Sequence, residues 1–253
     1  MSYEAFAGVY DILTDNVEYE KRAEYVSTLF ERYGVNKGAA VLDLACGTGS
    51  LTVLLAQAGY DMTGVDISED MLSQAQNKMY DSDTNILFLK QDMTKLDLFG
   101  TVDAAVCMLD SLNHLKNADE VQTAIGKVGL FMNHGGIFIF DVNTIYKHRE
   151  ILGNNTFVYD FEDVYCVWQN TLNSDDSVEI NLDIFELDDG VYYRSEENFT
   201  EHAYPLENIK KWLVQSDFEL IDIYDEMTEN KICDTTQRAV FVARYTGKDV
   251  ENG

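Results

Sequence analysis

Between residues 41 and 66 the apolar positions change their spacing twice. Val41, Leu42 and Leu44 form a short run, the mark of a strand covered on both faces. Leu51, Leu54, Leu55 and Ala58 then recur at helical intervals, and Gly59 ends that helix. A second strand runs to Val65 and closes on Asp66. The alternation continues on both sides. Tyr19, Ala23, Val26, Phe30 and Tyr33 predict a helix over 18–33. Ser68 caps a helix striped by Leu72, Ala75 and Met79. Strands are predicted at 86–90, 102–108 and 137–140, with a helix at 118–132 between the last two. Five strands, each followed by a helix or loop, make a doubly wound parallel sheet.

Beyond Gly153 the period changes from helical to two. Val178, Ile180, Leu182 and Ile184 alternate with Glu179, Asn181 and Asp183, and Phe157, Tyr159 and Phe161 alternate likewise. Residues 173–176 and 188–190 read as hairpin turns. An antiparallel sheet of three or four strands is therefore inserted at 153–204, dividing a core of 1–152 from its completion at 205–253. Pro205, the single proline, marks the start of a helix running to about 216. Strands at 218–224 and 239–245 follow as a terminal hairpin.

The glycines carry the first chemical signal. Gly47 and Gly49 follow the first strand directly, where a residue without a Cβ lets the backbone turn and approach a ligand. Asp66 stands about 20 residues on, at the distance of a ribose-binding acid. Thr52 occupies the third glycine position of a dinucleotide fingerprint, which weakens a nicotinamide-dependent oxidoreductase, and no lysine completes a phosphate loop. The spacing Asp43-x-Ala45-x-Gly47-x-Gly49 instead resembles motif I of the class I S-adenosylmethionine-dependent methyltransferases, with Ala45 in place of the first glycine.

Other stretches extend the resemblance over the whole chain. Phe6-Ala7-x-x-Tyr10-Asp11, the run from Asp110 to Leu115, the run from Phe140 to Thr144, and Gly153-Asn154-Asn155-Thr156-Phe157 are similar to a family of small bacterial methyltransferases. That family carries a β-sheet insertion over its active site, rather like the glycine and sugar N-methyltransferases. The resemblance implies a Rossmann-like α/β sheet of seven strands in the order 3-2-1-4-5-7-6, with the last strand antiparallel. It implies methyl transfer from S-adenosylmethionine, leaving S-adenosylhomocysteine, to N or O of a small-molecule acceptor. Lys21-Arg22 is a departure, standing where relatives often carry a tryptophan.

Composition narrows the partners. With 253 residues and 46% apolar content the chain can bury a large core, yet no apolar run approaches the ~20 residues of a membrane span. The N-terminus has no signal-like segment, and Cys46, Cys107, Cys166 and Cys233 form no C-x-x-C pair, so a cytoplasmic protein with small buried thiols is expected. Forty-five acids against eighteen bases give a formal charge of −27. That disfavours nucleic acid, since tight binding rests on Lys and Arg contacts to phosphates. RNA methylation and non-catalytic cofactor binding stay as the alternatives, and the insertion is either a substrate lid or a contact between copies of the chain.

Ligands of open α/β sheets bind outside the strand carboxyl ends. The turn of Ala45, Cys46, Gly47 and Gly49 is expected beside the methionine part of the cofactor, with Asp43 holding the turn or meeting the amino group through water. Asp66 is expected on the ribose and Ile67 beside the adenine, with Met71 either there or in the core. Gln91, Asp92 and Met93 end the third strand; Asp92 either accepts from the adenine amino group or caps a turn. Met108, Leu109 and Asp110 end the fourth strand at the methionine side. Tyr3 and Tyr10 either close over the cofactor or anchor the terminus. Asp110 and His114 are the leading catalytic candidates, with Asp141 and His202 as further bases; His134 and His148 are expected at the surface. No metal-ligand spacing is present.

Overall fold

The computed structural model describes residues 10–14 and 17–247. Tyr3, Phe6 and Ala7, and with them half of the expected aromatic lid, lie outside the described residues. A seven-stranded sheet is built from β1 (Ala40–Leu44), β2 (Asp61–Asp66), β3 (Leu87–Lys90), β4 (Val102–Cys107), β5 (Met132–Asn143), β10 (Phe218–Asp225) and β11 (Arg238–Tyr245). Its spatial order is β10-β11-β5-β4-β1-β2-β3, and β11 runs antiparallel to both neighbours. This is the expected 3-2-1-4-5-7-6 arrangement. A separate four-stranded antiparallel meander contains β6 (Thr156–Asp160), β7 (Val164–Leu172), β8 (Val178–Asp188) and β9 (Val191–Glu201).

Helices cover both faces of the larger sheet. α1 (Tyr19–Tyr33) and α2 (Ser50–Gln57) pack Val26, Leu29, Phe30, Leu51 and Leu55 onto one face with Val41, Val106 and Ile139. α4 (Ala118–Leu130) and α5 (Leu206–Gln215) pack Val121, Ile125, Val128, Ile209 and Leu213 onto the other with Leu42, Phe138 and Phe140. α3 (Glu69–Asp81) begins at Ser68, whose hydroxyl accepts from the Met71 amide at 3.3 Å. Burying each large side chain contributes roughly 1.5–3 kcal/mol. Among the described residues no helix is long and apolar enough to cross a membrane.

Two details of the fold position chemistry. Phe140 and Phe241 face each other across the β5–β11 pair, with rings stacked at 5.0 Å and 4°. The register they fix sets Arg238 opposite Asn143 and Val240 opposite Asp141. The meander, in turn, presents Val164, Cys166, Ile180, Leu182 and Ile184 on one face, where Met71 and Leu152 from the core join them. Cys107 and Cys166 are buried as expected, whereas Cys233 is exposed in the β10–β11 connection.

Candidate active site

The turn after β1 is held open by backbone conformation. Ala45, Gly47 and Gly49 all have positive φ, at 60°, 55° and 74°. For Ala45 this costs roughly 1–2 kcal/mol that glycine would not incur, which explains why the family pattern favours glycine there. Gly49 is fixed by packing, since a Cβ there would stand 2.8 Å from that of Ala75. Gly47 differs: among the described residues nothing lies within 4 Å of where its Cβ would be. Its amide donates to Oδ2 of Asp66 at 2.9 Å, while Oδ1 accepts from the Ser68 amide at 2.8 Å. Burial raises the Asp66 pKa, with those backbone donors opposing it. Asp43 lies beneath the turn, fully enclosed, and accepts from Thr52 Oγ1 at 2.6 Å. Burial pushes its carboxyl up to about 7, only partly countered by Thr52.

Farther along the sheet edge the candidates separate. Ile67 is exposed and Met71 is buried against the meander. The Gln91 amide is occupied by the backbone of Asp97, donating to its carbonyl and accepting from its N–H, both at 2.8 Å. Asp92 caps a short 3-10 turn (Met93–Lys95), accepting from the Thr94 amide at 2.9 Å and its hydroxyl at 2.7 Å. Its Oδ2 stands 3.3 Å from Lys95 Nζ. Met93 packs partly buried against the core.

After β4, Leu109 and Asp110 also adopt positive φ, 60° and 52°. Both amides donate to the Asp141 carboxylate, at 3.0 and 2.6 Å. Asp141 is completely buried, with Arg238 at 3.1 Å and Arg22 at 3.6 Å. It therefore holds the turn and cannot reach a ligand as a base. Arg22, at the departure from the family pattern, extends this network to Glu226 at 2.7 Å. Arg238 also meets Asp110, Nη1 to Oδ1 at 2.5 Å. Burial alone would raise the Asp110 pKa, but the charge of Arg238, then of Lys147, outweighs it and holds the carboxyl well below the usual range. Asn143 links the site laterally. Its Nδ2 donates to Asp110 Oδ2 at 2.8 Å and to Glu201 Oε2 at 3.0 Å, and its Oδ1 accepts from Lys147 Nζ at 2.9 Å.

A cavity of about 410 Å³ lies between this edge and the meander. Asp110, His114, Asn143, Lys147, Glu201 and Arg238 form its polar side. Phe157, Tyr159, Trp168 and Phe199 form the aromatic side. A smaller cleft of about 40 Å³ adjoins Asp43, Ala45, Cys46, Gly47, Met108 and Leu109, together with Tyr19, Leu51 and Ser111. Tyr10 and Leu109 belong to the walls of both. Burial, then the neighbouring Tyr19 and Asp110, keep the Tyr10 phenol protonated by raising its pKa. Asp11 anchors the segment that carries Tyr10, accepting from Thr48 Oγ1 at 2.7 Å and pairing with Lys78 at 2.6 Å.

The His114 ring tilts against Phe199 at 5.1 Å, and its buried Nδ1 has no hydrogen-bond partner among the described residues. Asp110, His114 and Glu201 bring ligand-type atoms within 4.8 Å of one another. Arg238 already neutralises Asp110 and Lys147 adds like charge, so the set suits a divalent cation poorly. His202 lines neither cavity; its amide donates to the Asn113 carbonyl at 2.8 Å. His148 corrects an expectation. It is completely buried in a π-helical turn (Lys147–Leu152), with Nδ1 2.8 Å from the Asp176 carbonyl and Nε2 3.5 Å from Glu201. Its spacing from Ile145 and Leu152 places it on the apolar side of a helical turn, a signal the sequence did contain. Asn143, Lys147, Glu201 and Arg238 escaped sequence reasoning because they meet only through strand register and the meander.

Comparison with known proteins agrees with this geometry. The methyltransferase-domain family matches residues 41–136. A Geobacillus sp. (strain WCH70) protein, provisionally named a methyltransferase, is 34% identical over 96% of this chain and all of its own length. An S-adenosylmethionine-dependent methyltransferase from Clostridium acetobutylicum ATCC 824 superposes with a TM-score of 0.89 at 32% identity, covering 97% of this chain and 99% of that one. A dTDP-3-amino-3,4,6-trideoxy-alpha-D-glucopyranose N,N-dimethyltransferase from Streptomyces venezuelae is 28% identical over 53% of this chain and 56% of its own.

Proposed function

We propose, from the premise that this chain belongs to the S-adenosylmethionine-dependent methyltransferases, that it methylates an amine nitrogen of a small molecule. The carrying observation is the cavity of about 410 Å³ that shares Leu109 and Tyr10 with the cleft at the glycine turn. Its volume falls within the ~300–1,000 Å³ of small-molecule sites.

The residues present fit the adenosyl cofactor. No atom of the described residues stands where a Gly47 Cβ would be, and the Asp66 carboxylate lies at the carboxyl end of β2. In this reading Asp66 takes the ribose hydroxyls, and Ile67 and Met71 border the base. Asp92 and the Met93 amide serve the adenine edge, with Gln91 contributing through its backbone because its side chain is occupied. Ala45, Cys46, Gly47, Gly49, Met108 and Leu109 enclose the methionine part, and Asp43 and Tyr10 complete it. Bound there, the cofactor supplies a methyl group on a sulfonium centre.

The chain's own contribution is alignment and exclusion of water. Asp110, kept ionised by Arg238, is a poor proton acceptor and orients a donor instead. His114, with an unused Nδ1, accepts the proton that an ammonium must lose before it attacks. A neutral amine attacks without further proton transfer, whereas an alcohol must lose its proton as it attacks, and this reading therefore prefers nitrogen. The amino-sugar substrate in the name of the Streptomyces venezuelae relative agrees with that choice. The experiment is cofactor turnover over matched primary amines and alcohols. Amines are expected to be methylated; methylation of alcohols alone would overturn the choice of nitrogen.

A further inference from the structure

The polar side of the large cavity is unevenly balanced. Asp110 is paired with Arg238 and bonded to Asn143. Glu201 accepts from Asn143 and has His148 Nε2 at 3.5 Å. Arg238 is surrounded by Asp110, Asp141 and Glu226. Lys147 differs from all of these. It lines the same cavity and donates one hydrogen bond, to Asn143 Oδ1 at 2.9 Å. Among the described residues, no carboxylate lies within 4.0 Å of its Nζ.

An ammonium has three N–H groups, so two remain for a ligand. Burial, then the charge of Arg238, push the Lys147 pKa down, and the more distant carboxylates of Asp110, Glu201 and Glu226 oppose this only in part. An anion placed at Nζ would offset both. The same cavity is lined by Phe157, Tyr159, Trp168 and Phe199, with Trp168 about 6.3 Å from the rings of both Phe157 and Tyr159. Those rings offer an apolar wall to the rest of the molecule. The Arg238 guanidinium is already held by Asp110, Asp141 and Glu226, so Lys147 is left as the donor, and one ammonium matches a carboxylate better than a phosphate, which draws on more donors.

We infer that the acceptor carries a carboxylate that Lys147 binds, on an apolar or aromatic body enclosed by Phe157, Tyr159, Trp168 and Phe199. This rests on the reading of the cavity as the acceptor site and deepens it to a substrate class.

The test uses the full chain saturated with S-adenosylhomocysteine. Benzoate, 3-phenylpropanoate and indole-3-acetate are each titrated against their primary amides by calorimetry, with the fluorescence change at Trp168 followed for the phenyl pairs. At least one carboxylate is expected to bind ~10-fold or more tightly than its amide. Lys147→Met should erase that preference and Lys147→Arg should keep it. Equal binding of acids and amides, a preference that survives Lys147→Met, or no binding of any acid at millimolar concentration would overturn the inference. The thermal shift given by S-adenosylhomocysteine itself checks that each variant is folded. If that shift is absent from the unaltered chain, the cofactor reading fails instead, so the two failures are told apart.

Discussion

Arg238, the first residue of β11, stands with Nη1 2.5 Å from Oδ1 of Asp110 in the turn after β4. The pair joins residues 128 positions apart, and both are largely buried. Removing one partner of such a pair leaves the other charge enclosed without compensation. Arg238→Met is therefore expected to destabilise the fold by about 3–5 kcal/mol. Denaturant unfolding measures this, and a loss below ~1 kcal/mol would show that the network is not structural.

Asp66 joins the glycine turn to the start of α3 through its two oxygens. A ligand bound only by the folded state at 100 times its Kd adds about 2.7 kcal/mol of stability. S-Adenosylhomocysteine should give a shift of that order with the unaltered chain and none with Asp66→Ala. An undiminished shift in the variant removes Asp66 from the ribose.

The two glycines of the turn should separate fold from binding. Gly49→Ala sets a methyl 2.8 Å from Ala75 at φ 74° and is expected to cost roughly 2 kcal/mol or more in stability. Gly47→Ala meets no atom of the described residues, so its stability cost is set at the ~1–2 kcal/mol of a left-handed backbone. If the cleft it lines holds the cofactor as proposed, the added methyl should raise the cofactor KM. Equal cofactor affinity in Gly47→Ala and the unaltered chain would refute the placement.

Asp43 predicts a pH dependence. In the fold its carboxyl is raised to about 7, against ~3.9 when unfolded. The folded state therefore holds a proton that the unfolded chain has released. This contribution to stability is fully present below ~pH 3.9 and is lost as pH rises to about 7. The loss amounts to ~4 kcal/mol at most. Asp43→Asn keeps an acceptor for Thr52 and should flatten the decline, measured as unfolding free energy from pH 4.5 to 8. An unchanged slope would exclude Asp43 as its source.

His114→Ala is expected to lower kcat by about 10²-fold with an identified amine acceptor, while leaving the S-adenosylhomocysteine shift in place. Unchanged kcat across the pH range would remove His114 as the proton acceptor.

The sheet was legible because its signals are local. Val41, Leu42 and Leu44 need no distant partner to read as a buried strand, and Gly47 and Gly49 mark the turn by themselves. The alternation at Val178, Ile180, Leu182 and Ile184 likewise announced the meander, whose buried face holds those four side chains. The charged lining of the large cavity had no such signal. Asn143 sits at a strand end, Lys147 in a π-turn, Glu201 at the end of the meander and Arg238 at the start of β11. Each reads alone as an ordinary solvated polar residue, and only strand register and packing bring them together. For Asp92 the sequence offered two roles, and the structure realises the cap with one oxygen while Oδ2 faces Lys95.

Tyr10 stands in the walls of both the cleft and the large cavity. Two ligands that share a wall residue are thermodynamically linked, and the linkage is reciprocal. Any coupling carried by Tyr10 changes the affinity of the cavity for its occupant by the same factor as it changes that of the cleft for its own. In the reading proposed above, one phenol ring thus gives each substrate a way to report its presence to the other.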